Sequence, residues 1–413
     1  MELITFGKFN FNHIYFLFYA VNTLIRSIFS DLLFDNTRDD CHHFYSMYLI
    51  ILSRSLSLIP YLINKKLSKR KNKKGNLQRD SINNKRISYV YKKQKNIWSK
   101  PAILSTIRVS IFEFLAELII SLFHFFNDNN QIVYDYSLKV KLIFNTVTQY
   151  LVSHFVLNYK FYSHHYLSFG INIFCILIFL IFDIIDISNK GITDYQFYIY
   201  ILVMIIRLFL FSLEDNYAKV SLFKYYYSPF SLLLFMAIEE TIFLIIASIP
   251  FIFIKSNDNN EIIFPDFLTF LTGINLVYSI VIFICNFLYE AFLLIIVDRF
   301  SPSHIPLGLI IHAFLNNIYI IIKNSINKRQ NEYLLYINFI IYIILFIAAM
   351  IHNEIFIINR CGFNKNTKKF LDNIMEEENE ENIILPTDEE NEEEEDTETE
   401  EDLFPSAELA TKG

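Results

Sequence analysis

Two adjacent acids, Glu239 and Glu240, stand in the middle of the apolar stretch 229–255. An ionised carboxylate at bilayer mid-depth costs roughly 2.5–3.5 kcal/mol on insertion scales. Two in succession call for a cation, a proton or a watery cavity, and so for other helices around this one. Glu113 and Glu117 repeat the theme in the apolar stretch 102–126. Four residues apart, they share one helix face, and Arg108 lies one turn before Glu113. Arg54, Arg108 and Arg207 are the candidate counter-charges, and Arg26 sits in the first apolar run. Glu290 falls toward the end of its run, where a long side chain is expected to snorkel to the interface. Neutral polar groups gather in two further runs: Asn145, Thr148, Gln149 and His154 in one, His312, Asn316 and Asn317 in the other. Amides and imidazoles so placed hydrogen-bond across helices for roughly 0.6–2 kcal/mol. Two chemistries fit these residues. In one, Glu113, Glu117, Asn145, Gln149, Arg207, Glu239, Glu240, His312 and Asn316 line a substrate-binding cavity, the carboxylates holding a proton or cationic group and the arginine an anionic one. In the other, the same groups form interhelical salt bridges that fix the packing.

The elements that must position these residues are membrane helices. The chain has 413 residues, 53% of them hydrophobic, and a positive mean hydropathy of +0.33. Runs of about 20 apolar residues, each long enough for a ~30 Å hydrocarbon core, recur along it. The spacing predicts an all-α, polytopic membrane helix bundle of about ten spans: 9–30, 44–63, 102–126, 138–158, 166–187, 195–214, 228–254, 267–297, 304–322 and 333–358. The predicted regions are a first helix pair (1–64), a basic loop (65–101), the main bundle (102–360) and a tail (361–413). The first run lacks a small-residue cleavage site and reads as a retained span rather than a cleaved signal.

The overall charge of −7 hides two opposed segments. Residues 371–413 hold 19 acids and one base, leaving +11 on the rest. The loop 65–100 holds 14 Lys/Arg and one acid, Asp80. Basic loops stay cytoplasmic, which places the N-terminus in the cytosol, and an even number of spans returns the C-terminus there. The loops then hold 23 basic residues on the cytosolic side against 6 on the other. Three of the six, Lys323, Lys328 and Arg329, share one loop that breaks the rule. The basic loop suits anionic lipid headgroups, worth about 1 kcal/mol per residue near the surface. No recognition fold accompanies the charge, so no nucleic-acid partner is expected. The acidic tail has too little bulk to offset its ordering entropy and reads as disordered. The four cysteines, Cys41, Cys175, Cys285 and Cys361, form no disulfide or metal pattern. Nucleophile motifs, phosphate loops and zinc spacings are missing, so no metal or cofactor is expected.

Three resemblances bear on function. The ten-span layout resembles the drug/metabolite transporter superfamily, which includes the nucleotide-sugar transporters. The segment NTVTQYLVSHFVLNYKFYSHHYLSFG (145–170) resembles that family's fourth span, short basic turn and the start of its fifth. The resemblance implies two five-helix halves of inverted topology, with the fourth and ninth spans as counterparts. Glu239-Glu240 and His312-x-x-x-Asn316 resemble the first and last motifs of the intramembrane CAAX-protease family. In that family an Arg follows the Glu pair after three intervening residues, and that position is Leu244 here. The juncture NEIFIINRCGFNKNTKKF (353–370) resembles segments after the last span in multi-pass proteins of early-branching fungi. The expected function is secondary transport of a small polar solute by a non-enzymatic permease. A membrane scaffold or receptor-like protein and a protease-like protein are the alternatives.

Overall fold

The computed structural model describes residues 4–6, 11–37, 42–75, 99–126, 131–158, 161–189, 195–251, 271–326 and 333–359. The acidic tail and residues 76–98 of the basic loop lie outside them, as does most of the loop after Lys323. A short strand, β1 (Ile4–Phe6), and a 3-10 turn at Phe11–His13 precede α1 (Ile14–Thr37). Then come α2 (His42–Ser53), a 3-10 turn (Arg54–Ser57), α3 (Leu58–Gly75), α4 (Lys100–Phe126), α5 (Gln131–Leu157), α6 (Ser163–Asn189) and α7 (Tyr195–Lys224). The second half holds α8 (Pro229–Phe251), α9 (Gly273–Arg299), a 3-10 turn (Pro302–His304), α10 (Ile305–Ile326), α11 (Tyr333–His352) and β2 (Phe356–Ile358). Among the described residues, six stretches are long and apolar enough to cross a membrane: Ile14–Leu33, Tyr45–Lys66, Pro229–Pro250, Gly273–Arg299, Pro302–Ile326 and Leu335–His352. The other four predicted spans are helical too, as α4 to α7. Helix is the expected outcome, because hydrocarbon offers the backbone no other hydrogen-bond partner.

The outer surface matches that medium. On α8, Ile238, Ile242, Ile245 and Ile249 are each more than half exposed and form one stripe at helical spacing, while Glu240 on the other face is fully buried. The chain is therefore read as an integral membrane protein with lipid bilayer around it.

Local signals set the ends. Pro229 occupies the first position of α8, where its missing N–H costs nothing. Ser228 and Ser231 cap it reciprocally: the Ser231 N–H donates to Ser228 Oγ (3.2 Å) and the Ser228 N–H to Ser231 Oγ (2.8 Å). Lys219 Nζ donates to the carbonyls of Asp298 (2.9 Å) and Phe300 (2.8 Å), satisfying the end of α9. At the end of α11, Glu354 adopts φ 55° and the Ile355 N–H donates to Met350 O (2.9 Å), turning the chain into β2. β2 pairs antiparallel with β1, Ile4 opposite Ile358 and Phe6 opposite Phe356. The segments before α1 and after α11 thus lie at the same end of the bundle.

Helix packing follows an exchange rule. Number the ten predicted spans in order and add five to each: the main contacts map onto one another. α4 on α7 corresponds to α9 on α1, and α5 on α7 to α10 on α1. α4 on α8 corresponds to α9 on α2, α2 on α4 to α8 on α9, and α5 on α6 to α10 on α11. Three contacts map onto themselves: α6 with α11, α5 with α10, and the second span with α8. The match has departures, since α7 also touches α8 and α9, and α9 touches α10.

The main core joins Phe16 and Tyr19 of α1, Leu232 and Met236 of α8, Leu294 and Val297 of α9, Ile310 of α10 and Leu345 of α11. Gly308 lets α10 close on α1: a Cβ there would stand 2.8 Å from the Tyr19 ring.

The second predicted span is the element that differs most from its expectation. Rather than one helix over 44–63, it breaks at Arg54–Ser57 into a 3-10 turn. A tighter turn in mid-span often marks strain or a functional hinge, and here its first residue is the charged one.

Candidate functional site

Arg54 opens the 3-10 turn and is completely buried. Its guanidinium is paired with Glu113 of α4 and Glu240 of α8, and Glu290 Oε1 of α9 lies 3.5 Å from Nη2. Glu113, Glu240 and Glu290 are all buried. Glu214 on α7, also buried, is near enough to interact electrostatically with Arg54, Glu240 and Glu290. These residues stand in the exchange relation of the fold. Arg54 and Glu240 lie on the second and seventh spans, Glu113 and Glu290 on the third and eighth. The cluster is thus made of two counterpart pairs, at the place where those four helices meet.

The face of α4 that reaches this cluster is a polar stripe. Thr106, Ser110, Glu113 and Glu117 fall at i, i+4, i+7 and i+11. Thr106 Oγ1 donates to Glu239 Oε1 (2.7 Å) and Ser110 Oγ donates to Glu239 Oε2 (2.6 Å). The adjacent acids of α8 therefore take different partners, Glu240 an arginine and Glu239 two hydroxyls. One turn further, Glu117 accepts from Arg207 Nη2 of α7 (2.8 Å), and the Arg207 guanidinium sits 5.1 Å from the Phe211 ring centre. Arg108 lies on the exposed side of α4, away from Glu113.

A second polar seam runs between α5 and α7. Gln149 Nε2 donates to Asp215, and Asn216 Nδ2 donates to Gln149 Oε1 (3.4 Å) and to Ser212 O (2.7 Å). Ser212 Oγ donates to Thr148 Oγ1 (2.8 Å), and Asn145 is buried one turn earlier. His312 is buried on α10, Asn316 half-buried, and Asn317 Nδ2 donates to Leu335 O on α11 (3.1 Å). α10 packs on α1, α5, α9 and α11, whereas α8 packs on the second span, α4, α7 and α9. Only α9 is shared between those sets, so the Glu pair and the His-x-x-x-Asn motif stand on helices with different surroundings.

Of the nine predicted cavity residues, Glu113 and Glu240 meet at Arg54, while Glu117 and Arg207 pair with each other. Glu239 is held by hydroxyls on the same stripe. Asn145 and Gln149 belong to the α5–α7 seam, and His312 and Asn316 to α10. Sequence reasoning missed three acids or misplaced them. Glu290 does not snorkel: it is buried and turned to Arg54. Glu214 and Asp215 fall at and just past the end of the predicted span 195–214, but α7 continues to Lys224. Thr106 and Ser110 donate across to α8. Their spacing with Glu113 and Glu117 was the available signal.

A further group lies at the end of the bundle that carries both strands. His164 and His165 of α6 have ring centres 4.0 Å apart, His165 and His352 4.6 Å, and His304 and His352 5.3 Å. The Tyr162 N–H donates to His165 Nδ1 (3.0 Å), Ser301 Oγ lies 2.7 Å from His304 Nδ1, and Glu354 lies 3.3 Å from His164 Nε2. Among the described residues, no group of three or more His, Cys, Asp or Glu side chains is arranged to hold a metal ion.

No family model matches the chain, and a search of curated proteins gives no significant match.

Proposed function

We propose that the protein is a ten-span membrane permease that moves a small polar solute by rocking two five-helix halves about the Arg54 cluster. The observation that carries the reading is the composition of that cluster. Its arginine and its nearest carboxylates come from both halves, as two counterpart pairs, at the crossing of four helices. Transporters built from inverted repeats place their sites near the midplane, at the repeat interface, and use interrupted helices there. The break at Arg54–Ser57 supplies such an interruption. The arrangement of contacts under addition of five supports the resemblance to the drug/metabolite transporter superfamily. In this reading both termini face the cytosol, as the distribution of basic residues asks, and the 65–100 loop meets anionic headgroups. The enclosed cluster corresponds to an occluded state.

A non-transporting scaffold is the second reading. It is favoured by one observation: Glu113 and Glu240 meet an arginine in a tightly closed core. The protease-like reading loses ground, because Glu240 is committed to Arg54 and α8 and α10 are packed among different helices.

Uptake by purified protein in liposomes, assayed with a panel of amino acids, amines, nucleotides and nucleotide sugars, tests the proposal. Transport of one class by the wild type, reduced at least tenfold in Glu240→Gln, is expected. A folded, inserted protein that moves none of these classes would favour the scaffold.

A further inference from the structure

The Arg54 cluster has an imbalance that transport of a solute does not by itself explain. Glu113, Glu214, Asp215, Glu240 and Glu290 are all buried, and the guanidinium enclosed with them is that of Arg54. The nearby Glu117 and Arg207 offset each other. Burying more carboxylates than one guanidinium can balance is costly, and such groups tend to neutralise.

The unpartnered buried atoms show where that charge is concentrated. Ionised carboxylates only accept, and the amide oxygen of Asn286 only accepts. Glu113 Oε2, Glu240 Oε1 and Asn286 Oδ1 are buried without a hydrogen-bond partner. Asn286 lies one turn before Glu290 on α9, on the same face. Ser57 Oγ, likewise buried and without a partner, lies three residues after Arg54 in the 3-10 turn, where i and i+3 eclipse. Arg54 Nε and Nη2 and the Ser57 hydroxyl are donors in the same enclosure that also have no hydrogen-bond partner, so the shortfall there is of positive charge rather than of N–H or O–H groups. A proton on one carboxyl turns it into a donor, relieves the charge surplus and needs no cavity. Among the described residues, no set of carboxylates is arranged to hold a metal ion in its place.

We infer that the cluster is an exchangeable proton-binding site, and that the proton is the coupling ion of the permease. The inference rests on the transport reading for its coupling role, though not for proton binding itself. In the step, a proton from water on one side bonds to a carboxylate oxygen of Glu113, Glu214, Glu240 or Glu290. Arg54 remains charged, and the same O–H bond breaks to release the proton to water on the other side. The groups that face the exchanging carboxyl are Arg54 from the turn, Glu113 and Glu117 from α4, and Glu214, Asp215 and Arg207 from α7. Glu239 and Glu240 face it from α8, Tyr289 and Glu290 from α9, and Tyr19 from α1, with Arg26 of α1 over the Tyr289 ring.

Infrared spectroscopy of the intact protein in lipid tests this without knowledge of the solute. At pH 7 to 8 the tail and surface carboxylates are ionised, so a carboxylic-acid C=O band reports buried protons. We expect such a band, shifting downward in D2O, vanishing as pH is raised while the helical amide band persists, and losing at least half its intensity in Glu240→Gln or Glu290→Gln. The D2O shift and the titration are measured on the wild type, so they do not depend on a variant folding. Absence of the band, or a band undiminished in folded Glu113→Gln, Glu214→Gln, Glu240→Gln and Glu290→Gln alike, overturns the inference. A band without solute uptake in the liposome assay sinks the transport reading and the coupling role, and leaves the proton site. Uptake without the band sinks the proton site and leaves the transporter.

Discussion

Arg54 and Arg207 both pair with carboxylates inside this bundle, and they are held in opposite ways. Arg207 meets one carboxylate, Glu117, with both side chains partly open to the surroundings and an aromatic ring against the guanidinium. Arg54 is sealed, sits on a broken stretch of helix, and is shared among carboxylates from three other helices. The first is a packing contact between α4 and α7 that balances its own charge. The second is a hub on which the two halves converge and where negative charge is in surplus. The same pair of residue types therefore does different work according to stoichiometry and enclosure. A count of intramembrane charges does not distinguish the two; a map of which helix supplies each one does.

Three substitutions break or sharpen the contrast, read as thermal unfolding in lipid nanodiscs. Arg54→Gln has the largest effect. Removing one partner of a buried ionic network costs about 3–5 kcal/mol because the remaining charges are stranded. The expectation is loss of most folded protein at 37 °C or a steep fall in Tm. Arg207→Gln should cost about 1 kcal/mol, since a partly exposed interhelical pair contributes in the range of 0.6–2. Glu239→Gln is the smallest, under about 1 kcal/mol, because the Thr106 and Ser110 hydroxyls can rotate to meet an amide. Equal effects at Arg54 and Arg207 would erase the distinction between hub and packing contact.

Much of this was legible in the chain. Among the described residues a helix lies at each predicted apolar run, broken in the second, because in hydrocarbon the backbone has no alternative to bonding itself. The mid-depth acids Glu113, Glu117, Glu239 and Glu240 declared themselves by the cost of their position. Pairing did not. Arg54, Arg108 and Arg207 are equivalent as candidates in sequence, yet Arg108 points outward and Arg54 gathers Glu113, Glu240 and Glu290. Which partners meet is decided by contacts between helices far apart in the chain, and no local periodicity encodes those. The break at Arg54–Ser57 had a local signal that apolar length alone passes over: Pro60 has no N–H to give to the Leu56 carbonyl, and its ring crowds that turn. Glu214 and Asp215 were lost to an error of length, since a helix that runs past the apolar run carries its acids into the protein interior.

The central claim is that Arg54 serves as the counter-charge for carboxylates drawn from both halves. A double-mutant comparison tests it most directly: unfolding of Arg54→Gln against that of Arg54→Gln combined with Glu240→Gln, both in nanodiscs. If the account is right, the second change restores stability to the first, because it removes a stranded negative charge. If the double variant is less stable than Arg54→Gln alone by the full cost of Glu240→Gln, the two residues act independently and the hub does not exist.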